Sequence, residues 1–340
     1  MARPLAALVA LACLLLVGAP EALAQYRGGI QPPESVTGSG DAINELYWVV
    51  TTAALVVFVL VEAALLFFIF RFRRRGDAGA HAEGPQIHGN TRLEVIWTVI
   101  PTAALVALAV LTIVKVPDVE ATAGESERGE ALHVAVEAHQ FYWQYEYENG
   151  ALSFDTLYLP VGRQVTLDLS SADVPHSWWV PQLTGKRDAI PGQVNQLSFL
   201  AREEGTFTNG KCGEFCGIQH AAMLTTVEVL PAGEFDRWLA DNEAADEVEL
   251  GRAEWEAACA KCHGLEGGGD IGPPIAANAS LTNADTLREL LYEGQDTDTN
   301  EGYMPPVGVG WSDAQIEALI AYVESNEALA PPTQGAASGG

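Results

Sequence analysis

The sequence predicts a membrane-anchored chain in three parts, namely an α-helical hairpin, an all-β sandwich and a small all-α domain. The hairpin follows from two apolar segments, 45–70 and 93–116, because about 20 apolar residues are needed to cross the bilayer core. The sandwich, expected over 131–232, follows from short segments of alternating apolar residues with turn residues between them. The α-helical domain, expected over 248–328, closes with an amphipathic helical pattern.

Residues 1–24 have the features of a secretory signal peptide. Arg3 lies near the start, an apolar core follows, and small residues at Ala22 and Ala24 precede the expected cleavage point. A first membrane anchor is the alternative, but the apolar run is short for a span of about 20 residues. Segment 25–44 is therefore expected to be an external N-terminal segment.

Four arginines at the end of the first apolar segment set the predicted orientation of the hairpin. They are Arg71, Arg73, Arg74 and Arg75. By the positive-inside rule, the loop 71–92 is cytoplasmic. The chain is therefore expected in the inner membrane of a bacterial cell, with its two folded domains on the periplasmic side.

Three segments are expected to connect or follow the domains. Segment 117–130 is acidic and rich in small residues, which is typical of a linker. Segment 233–247 is expected to join the sandwich to the last domain. Segment 329–340 is expected to be a disordered tail, because its composition offers little apolar surface to bury.

Two acidic residues of the hairpin each have two interpretations. Glu62 lies inside the first span, where an ionisable side chain is costly unless it faces protein or water. It serves either in a hydrogen bond to a neighbouring helix or subunit, or in proton movement. Glu94 follows Thr91 at the spacing of a capping box, which would simply begin the second helix.

The densest group of metal-binding side chains lies within residues 211–223. Its two thiols, imidazole and thioether belong to Cys212, Cys216, His220 and Met223. Soft sulfur ligands with imidazole favour copper or zinc over magnesium or calcium. His176, upstream in the segment DVPHSWWVP, can supply a second imidazole.

Three kinds of metal site are compatible with these ligands. A Cys2His2 zinc site would leave the thioether of Met223 unused. A mononuclear blue-copper site takes two histidines, one cysteine and a weak axial methionine, so it would leave one cysteine unused. A dinuclear copper site with bridging thiolates would use every ligand.

Four segments resemble subunit II of cytochrome c oxidase, namely CGEFCGIQHAAM, DVPHSW, KRDAIPGQVNQ and AHQFYWQYEY. The resemblance implies a cupredoxin-like sandwich with a dinuclear CuA centre. It implies copper ligands at His176, Cys212, Glu214, Cys216, His220 and Met223. Glu214 would bind copper through its backbone carbonyl, and its side chain would help to hold magnesium at the boundary with subunit I. Asp188, in KRDAIPG, is an expected residue of that interface.

Two further positions take a meaning from this resemblance. Glu94 resembles a glutamate at the cytoplasmic mouth of a proton channel in subunit I. In the family, an exposed tryptophan one residue beyond a His-Gln pair receives electrons from a mobile cytochrome c. Phe141 holds that place here and Trp143 lies two residues later, which departs from the usual entry route. The other aromatic residues of these strands are expected in the core.

The last domain contains a second redox motif. Cys259, Cys262 and His263 form Cys-x-x-Cys-His, the attachment signature of c-type haem, with the histidine as proximal ligand. A thioredoxin-like redox pair is the alternative, but the adjacent histidine and the lack of a βαβ pattern argue against it. Met304 is the expected second axial ligand. The segment 272–274, Gly-Pro-Pro, resembles a cytochrome c turn, and predicts a class I cytochrome c fold.

The distribution of sulfur supports ligand roles. Of five cysteines, Cys13 falls in the signal peptide and the other four fall in the two motifs. Of three methionines, one is the initiator and the others are Met223 and Met304. No cysteine remains for a disulfide. Because methionine is otherwise a general gap filler in cores, this distribution favours ligation over packing.

The formal net charge of the chain is −27. An acidic exposed face steers basic redox partners towards a protein. The same surface argues against nucleic acid as a partner, since nucleic-acid binding depends on basic residues that neutralise phosphates.

Together the motifs predict subunit II of a caa-type haem-copper oxidase with a cytochrome c domain fused at its C-terminus. The resemblance implies subunit I and subunit III as partners, with cytochrome c or a reductase complex as external donor. Oxygen reduction coupled to proton pumping belongs to subunit I, so no catalytic residue is expected here. The alternatives are the CuA-containing subunit of a nitric oxide reductase and a membrane-tethered electron carrier. A quinol oxidase subunit is disfavoured because such relatives lack the copper ligands.

Overall fold

A computed structural model of the protein describes residues 31–73, 86, 88–120, 131–243, 246–296 and 303–331. The expected signal peptide lies outside the described residues, as do Arg74 and Arg75. Most of the expected linker before the sandwich and most of the expected tail also lie outside them.

Two long apolar helices form the N-terminal hairpin: α1, Gly38–Phe72, and α2, Thr91–Glu120. Both are long and apolar enough to cross a membrane, and their apolar side chains are mostly exposed. An ion pair of 2.9 Å between Lys115 and Glu45 joins the two helices. Helix α1 begins before the predicted span because the Thr37 side chain caps it by accepting a hydrogen bond from the backbone of the helix.

Helix α2 is capped by Asn90, so the predicted capping box that begins at Thr91 is wrong. Asn90 Oδ1 accepts a hydrogen bond from the Leu93 N–H at 3.2 Å, and Glu94 Oε1 accepts one from the Asn90 N–H at 3.1 Å. Asparagine is a better N-cap than threonine, which explains the shift by one residue. Glu94 therefore stabilises the start of α2, although with Asn90 rather than Thr91.

The sandwich contains two five-stranded sheets, ordered β3-β2-β1-β5-β8 and β4-β10-β9-β6-β7. The strands are β1 Leu132–His139, β2 Tyr142–Tyr147, β3 Leu152–Phe154, β4 Thr156–Pro160, β5 Gln164–Ser171, β6 His176–Trp179, β7 Arg187–Ala189, β8 Asn195–Leu200, β9 Gly205–Cys212 and β10 Leu224–Leu230. Strands β1 and β5 are parallel, as are β4 and β10. Strands β1, β5, β8 and β10 coincide with the alternating apolar segments LHVAVEA, RQVTLDLS, NQLSFLA and LTTVEVL, as predicted.

The aromatic residues of β2 lie in the core, as expected. Trp143 and Tyr145 are fully buried, and Phe141, just before the strand, is 6% exposed. The Tyr145 hydroxyl accepts a hydrogen bond from Trp178 Nε1 at 2.9 Å, which satisfies the polar end of both buried side chains. Each fully buried apolar side chain of this size stabilises the sandwich by about 1.5–3 kcal/mol.

A helix, α3, Ala232–Asp241, occupies most of the segment expected to connect the two domains. Phe235 is fully buried in the sandwich core. Trp238 stacks on Tyr158 with ring centroids 4.3 Å apart, and meets Tyr147 edge-on at 5.0 Å. The apolar spacing of Phe235, Trp238 and Leu239 gives the helix one apolar face. This segment is therefore part of the sandwich.

The last domain is helical, with α4 Glu247–Glu254, α5 Ala260–His263, α6 Ala284–Glu293 and α7 Asp313–Ser325. Helical turns at Trp255–Cys259 and Ala279–Thr282 and short strands β11, Gln295–Asp296, and β12, Tyr303–Met304, complete it. A side chain on Gly251 would collide with the backbone of Ala318, so glycine allows α4 and α7 to cross closely. Helix α7 begins with a capping box of Ser312 and Gln315 and is the predicted closing helix.

The contacts of the helical domain extend beyond α7. Leu329 is fully buried in its core, and its carbonyl accepts a hydrogen bond from the Ala277 N–H at 3.0 Å. The segment expected to be a tail from residue 329 therefore starts with a packed residue. Residues 332–340 lie outside the described residues.

Candidate copper centre and haem site

Three neighbouring strands of one sheet bring the predicted copper ligands together. His176 is the first residue of β6, Cys212 is the last residue of β9, and Met223 directly precedes β10. Cys216 and His220 lie on the loop between β9 and β10. Residues up to 47 positions apart in sequence thus meet at one end of the sandwich, because β6 pairs with β9 and β9 pairs with β10.

Each predicted sulfur ligand has a partner ligand nearby. Cys212 Sγ lies 3.8 Å from His176 Nδ1, and Cys216 Sγ lies 3.7 Å from His220 Nδ1. Met223 Sδ lies 3.8 Å from Cys216 Sγ. The ligand atoms of His176, Cys212 and Cys216 all lie within 4.8 Å of one another, which is close enough to share a metal centre.

His176 is held in the orientation that a metal ligand needs. Its Nε2 lies 2.8 Å from Asp173 Oδ1, so Nδ1 faces the cluster, 3.1 Å from Met223 Sδ. Burial lowers the pKa of His176, but the hydrogen bonds and negative charges of Asp173 and Cys212 together outweigh burial and raise that pKa. Trp143 meets the imidazole edge-on, with ring centroids 6.0 Å apart, and keeps solvent from its face.

The Glu214 backbone carbonyl also points at the cluster. It accepts a hydrogen bond from the Cys212 thiol at 3.1 Å. The Glu214 side chain is half-exposed, and its carboxylate lies 3.5 Å from Lys186 Nζ. The backbone carbonyl of Glu214 therefore faces the predicted metal ligands, whereas its side chain faces Lys186.

The two thiols titrate as a coupled pair. The hydrogen bond from Cys216 lowers the pKa of Cys212, and the same hydrogen bond raises the pKa of the Cys216 thiol. A metal that binds both sulfurs would displace the thiol protons.

The donor set fits two soft metal ions better than one. It comprises two thiols, two imidazoles, one thioether and one carbonyl oxygen, whereas a structural zinc site takes four ligands. A single tetrahedral zinc would leave the thioether of Met223 and the carbonyl of Glu214 unused. Two copper ions that share both thiolates would use all six donors, and thiolate with thioether is the ligand combination that copper favours.

The haem motif lies on α5 and on the helical turn before it. His263 Nδ1 lies 2.7 Å from the Pro273 carbonyl oxygen. Nδ1–H therefore donates a hydrogen bond to that oxygen, which leaves Nε2 free to bind a metal. A Cβ atom on Gly272 would lie 2.9 Å from His263 Cε1, so only glycine allows the turn to lie against the ring. The Gly-Pro-Pro turn therefore supports the histidine as predicted.

A cavity of about 240 Å³ adjoins these residues. Its wall contains the motif residues, the expected axial ligand and aliphatic side chains, including Cys259, Cys262, His263, Met304, Leu287 and Leu291. An apolar cavity with two thiols, one imidazole and one thioether in its wall fits a covalently attached haem with His/Met ligation.

Three family models match successive parts of the chain. The model for the transmembrane domain of cytochrome c oxidase subunit II matches residues 26–114, and that for its periplasmic domain matches 155–230. The model for cytochrome c oxidase, cbb3-type, subunit III matches 246–323. The three matches overlap the hairpin, the sandwich from β4 onward, and the helical domain.

The chain is 33% identical to cytochrome c oxidase subunit 2 of Alkalihalophilus pseudofirmus over 331 residues, which covers 89% of this chain and 94% of the relative. The chain belongs to the cytochrome c oxidase subunit II family. It is also 29% identical to cytochrome c oxidase subunit 2 of Bacillus subtilis, over 67% of this chain and 69% of that protein. The predicted fold class is confirmed. The chain has two apolar helices, then a cupredoxin-like sandwich, then a helical cytochrome c region.

Among solved structures, the chain is similar to the periplasmic domain of subunit II of cytochrome oxidase of Bradyrhizobium japonicum. The two are 27% identical, with a TM-score of 0.33. The match covers 35% of this chain and 96% of that domain.

The remaining predicted residues of this subunit II chain lie away from the metal cluster. Glu62 lies on α1 and Glu94 at the start of α2. Asp188 lies on β7, where its Oδ1 accepts a hydrogen bond from Ser177 Oγ at 2.7 Å. Ser177 directly follows the predicted ligand His176, so Asp188 helps to fix β6 beside the cluster.

The sequence did not indicate the contacts by which several residues shape the two sites. Asp173 orients His176, and its only signal was a position three residues before that histidine. Phe141 and Ile218 belong to the sandwich, yet they lie in the wall of the haem cavity. Lys261, inside the haem motif, contacts the sandwich. The contacts of Phe141, Ile218 and Lys261 depend on how the sandwich and the helical domain pack together, which the local sequence does not encode.

Proposed function

We propose that this chain is the electron-entry subunit of a caa-type oxidase, in which a cytochrome c domain is fused to subunit II. The contact between the two ligand clusters carries the proposal, since Gln219, on the copper-binding loop, donates a hydrogen bond to Cys262 Sγ at 3.3 Å. When bound, haem c and CuA would supply the one-electron chemistry that links an external donor to the oxygen-reducing centre of subunit I. Proton pumping would be coupled to that reduction in subunit I.

We assign the copper ligands to the cluster at the end of the sandwich, namely His176, Cys212, Glu214, Cys216, His220 and Met223. Asp173 holds the imidazole of His176 towards the metals. The burial of both cysteines, 4% exposed at Cys212 and 3% at Cys216, keeps competing water and oxidants from the sulfur atoms.

We assign haem attachment to Cys259 and Cys262, and axial ligation to His263 and Met304. The Pro273 carbonyl fixes the tautomer of His263 by accepting a hydrogen bond from its Nδ1–H group. Met/His ligation raises the reduction potential of a haem, which suits an electron carrier between a donor and copper.

The expected partners are subunit I, subunit III and a cytochrome c or reductase complex as donor, in the inner membrane of a bacterial cell. Both folded domains would lie on the periplasmic side. The half-exposed carboxylate of Glu214 is available for magnesium at the boundary with subunit I. Glu94, exposed at the start of α2, is the candidate entry to a proton channel of subunit I.

The proposal is tested on the complex that co-purifies with this chain. Oxygen consumption is measured with a reduced soluble cytochrome c as donor, for the unaltered chain and for Cys216→Ser. We expect oxygen consumption in the first, and loss of consumption with retained haem in the second. Reduction of nitric oxide without reduction of oxygen would select the nitric oxide reductase alternative. A chain that purifies alone, without reductase activity, would contradict the proposal.

A further inference from the structure

Lys261 connects the helical domain to the sandwich. It lies between the two cysteines of the haem motif, and its ammonium group contacts two acceptors of the sandwich. Lys261 Nζ donates to the Phe141 carbonyl at 2.9 Å and forms an ion pair with Asp155 at 2.5 Å. The two charged side chains are 25% and 26% exposed, so water screens this pair less than an ordinary surface pair.

Asp155 is a rigid anchor for that lysine. It lies between β3 and β4 with φ of 54°, a left-handed conformation that aspartate adopts more readily than most residues. Its Oδ1 accepts a hydrogen bond from the Trp143 N–H at 3.0 Å, and its own N–H donates to the Trp143 carbonyl at 2.8 Å. The carboxylate that binds Lys261 is therefore fixed to the strand that supports the copper ligand His176.

Phe141 lies between the two sites. Its ring forms part of the haem cavity wall. On another side, a Cβ atom on Gly217 would lie 3.1 Å from ring atoms Cε1 and Cζ, so the copper-binding loop packs directly on the ring. Gly217 directly follows Cys216. The Phe141 ring thus touches the backbone next to a copper ligand and faces the cavity for the haem.

The copper-binding loop is held at this interface by two further hydrogen bonds. Gln140 Nε2 donates to the Cys216 carbonyl at 2.5 Å, and Gln219 Nε2 donates to Cys262 Sγ at 3.3 Å. The first bond connects the loop to the residue before Phe141, and the second connects it to the haem motif. Lys261 adds a charged contact to the same junction.

We propose that Lys261 is a positioning residue that holds the haem motif against the copper-binding loop, with Phe141 as the shared wall between the two sites. This inference rests on the proposed function. With both groups bound, electrons would pass from haem to copper across this fixed intramolecular interface, and an exposed aromatic residue for a mobile donor would not be required on the sandwich. The departure from tryptophan at Phe141 follows, since the fused domain covers that position.

The experiment compares Lys261→Met, Asp155→Asn and the double variant in the full chain. Asparagine keeps an acceptor for the Trp143 N–H, so the fold around residue 155 is retained. Lys261→Arg tests rescue by a residue that restores the charge. Arg252→Gln is the matched control, because the ion pairs of Arg252 with described residues are those with Glu249 and Glu256 of its own domain.

Two quantities test the inference. Copper content, haem content and the reduction potential of each centre are measured as controls. The first is amide hydrogen exchange in residues 212–223 and 255–264, which reports opening of the interface without any cofactor reaction. The second is the rate of electron transfer from photoreduced haem to copper. We expect exchange to increase by about tenfold in Lys261→Met, since loss of a half-buried ion pair of about 1.4 kcal/mol changes an opening equilibrium by that factor.

We expect electron transfer to slow in Lys261→Met and Asp155→Asn at unchanged potentials, with no further loss in the double variant. Lys261→Arg should restore both quantities, and Arg252→Gln should change neither. Unchanged exchange and unchanged transfer in Lys261→Met, with both cofactors bound, would overturn the inference. Absence of copper or haem from the unaltered chain would instead overturn the proposed function, and the exchange data would still test the interface.

Discussion

Asp173 organises both sides of the copper cluster through one carboxylate. Oδ1 holds His176, and Oδ2 accepts a hydrogen bond from the Gln140 N–H at 2.6 Å. Burial raises the pKa of Asp173, but its hydrogen bonds with His176, Val174 and Gln140 and the charge of His176 together outweigh burial and lower that pKa, so the group stays ionised at neutral pH. A single buried anion therefore orients a metal ligand and fixes the residue before Phe141.

We expect Asp173→Asn to weaken copper binding by about 10–100-fold, because an outer partner that orients a metal-binding histidine has an effect of that size. Copper titration of the apo chain, monitored by absorption, measures the change. Asp168→Asn is the control, because Asp168 binds Gln196 on the sheet surface at 2.8 Å and has no contact with the cluster. Equal copper affinity in Asp173→Asn and the unaltered chain would show that His176 needs no orienting partner.

Glu254 is a buried acid that the proposed function does not use. It is fully buried at the end of α4, and neither carboxyl oxygen has a hydrogen-bond partner with normal geometry among the described residues. Burial raises the pKa of Glu254 to about 9, and the Gln315 side chain offsets only part of the increase. The folded protein therefore binds a proton here that the unfolded chain releases near pH 4.5.

The stability of the helical domain should consequently fall as pH rises from about 4.5 to about 9. Glu254→Gln removes the ionisable group, and should flatten this slope and stabilise the domain by about 3 kcal/mol at pH 7. Denaturant unfolding of both proteins at several pH values measures the difference. A slope that persists unchanged in Glu254→Gln would assign the pH dependence to another group.

Helix α3 shows how an element can belong to a domain that the sequence did not assign to it. Its segment was expected to be a connection between the sandwich and the last domain. The helix instead completes the aromatic core with Phe235 and Trp238. We infer that α3 fixes the point from which the helical domain begins.

Phe235→Ala should destabilise the sandwich by about 3–5 kcal/mol, the usual cost of removing a buried phenylalanine. Arg237→Ala is the matched control on the same helix, since the Arg237 side chain is 75% exposed. Chemical unfolding followed by tryptophan fluorescence compares them. If Phe235→Ala unfolds at the same denaturant concentration as Arg237→Ala, α3 is a connection after all.

At the element level, what the sequence could predict depended on distance along the chain. Strands β1, β5, β8 and β10 follow from local alternation, and the sulfur ligands follow from motifs within 13 residues or fewer. The Asn90 cap was missed because Thr91 offered the same pattern one residue later. Phe141 and Lys261 gained their positions from packing between domains, and nothing in the local sequence encodes a contact across 120 residues.

Across the whole molecule, the described chain combines a membrane hairpin with two ligand clusters that meet at one interface. The ion pair of Lys261 with Asp155, the wall residue Phe141 and the Gln219 contact all fall at this junction. The chain has 18 basic residues against 45 acidic ones. One of these few basic residues, Lys261, forms an ion pair with Asp155 at the junction. The acidic surface outside the junction suits a basic donor.

The central claim is that one chain holds haem c and a dinuclear copper centre. The most direct measurement is copper and haem content with electron paramagnetic resonance, on the full chain in detergent after haem attachment and copper loading. We predict two coppers per haem, with the unpaired electron shared equally between two copper nuclei. One copper per haem with a mononuclear spectrum, or bound zinc without a copper signal, would contradict the account.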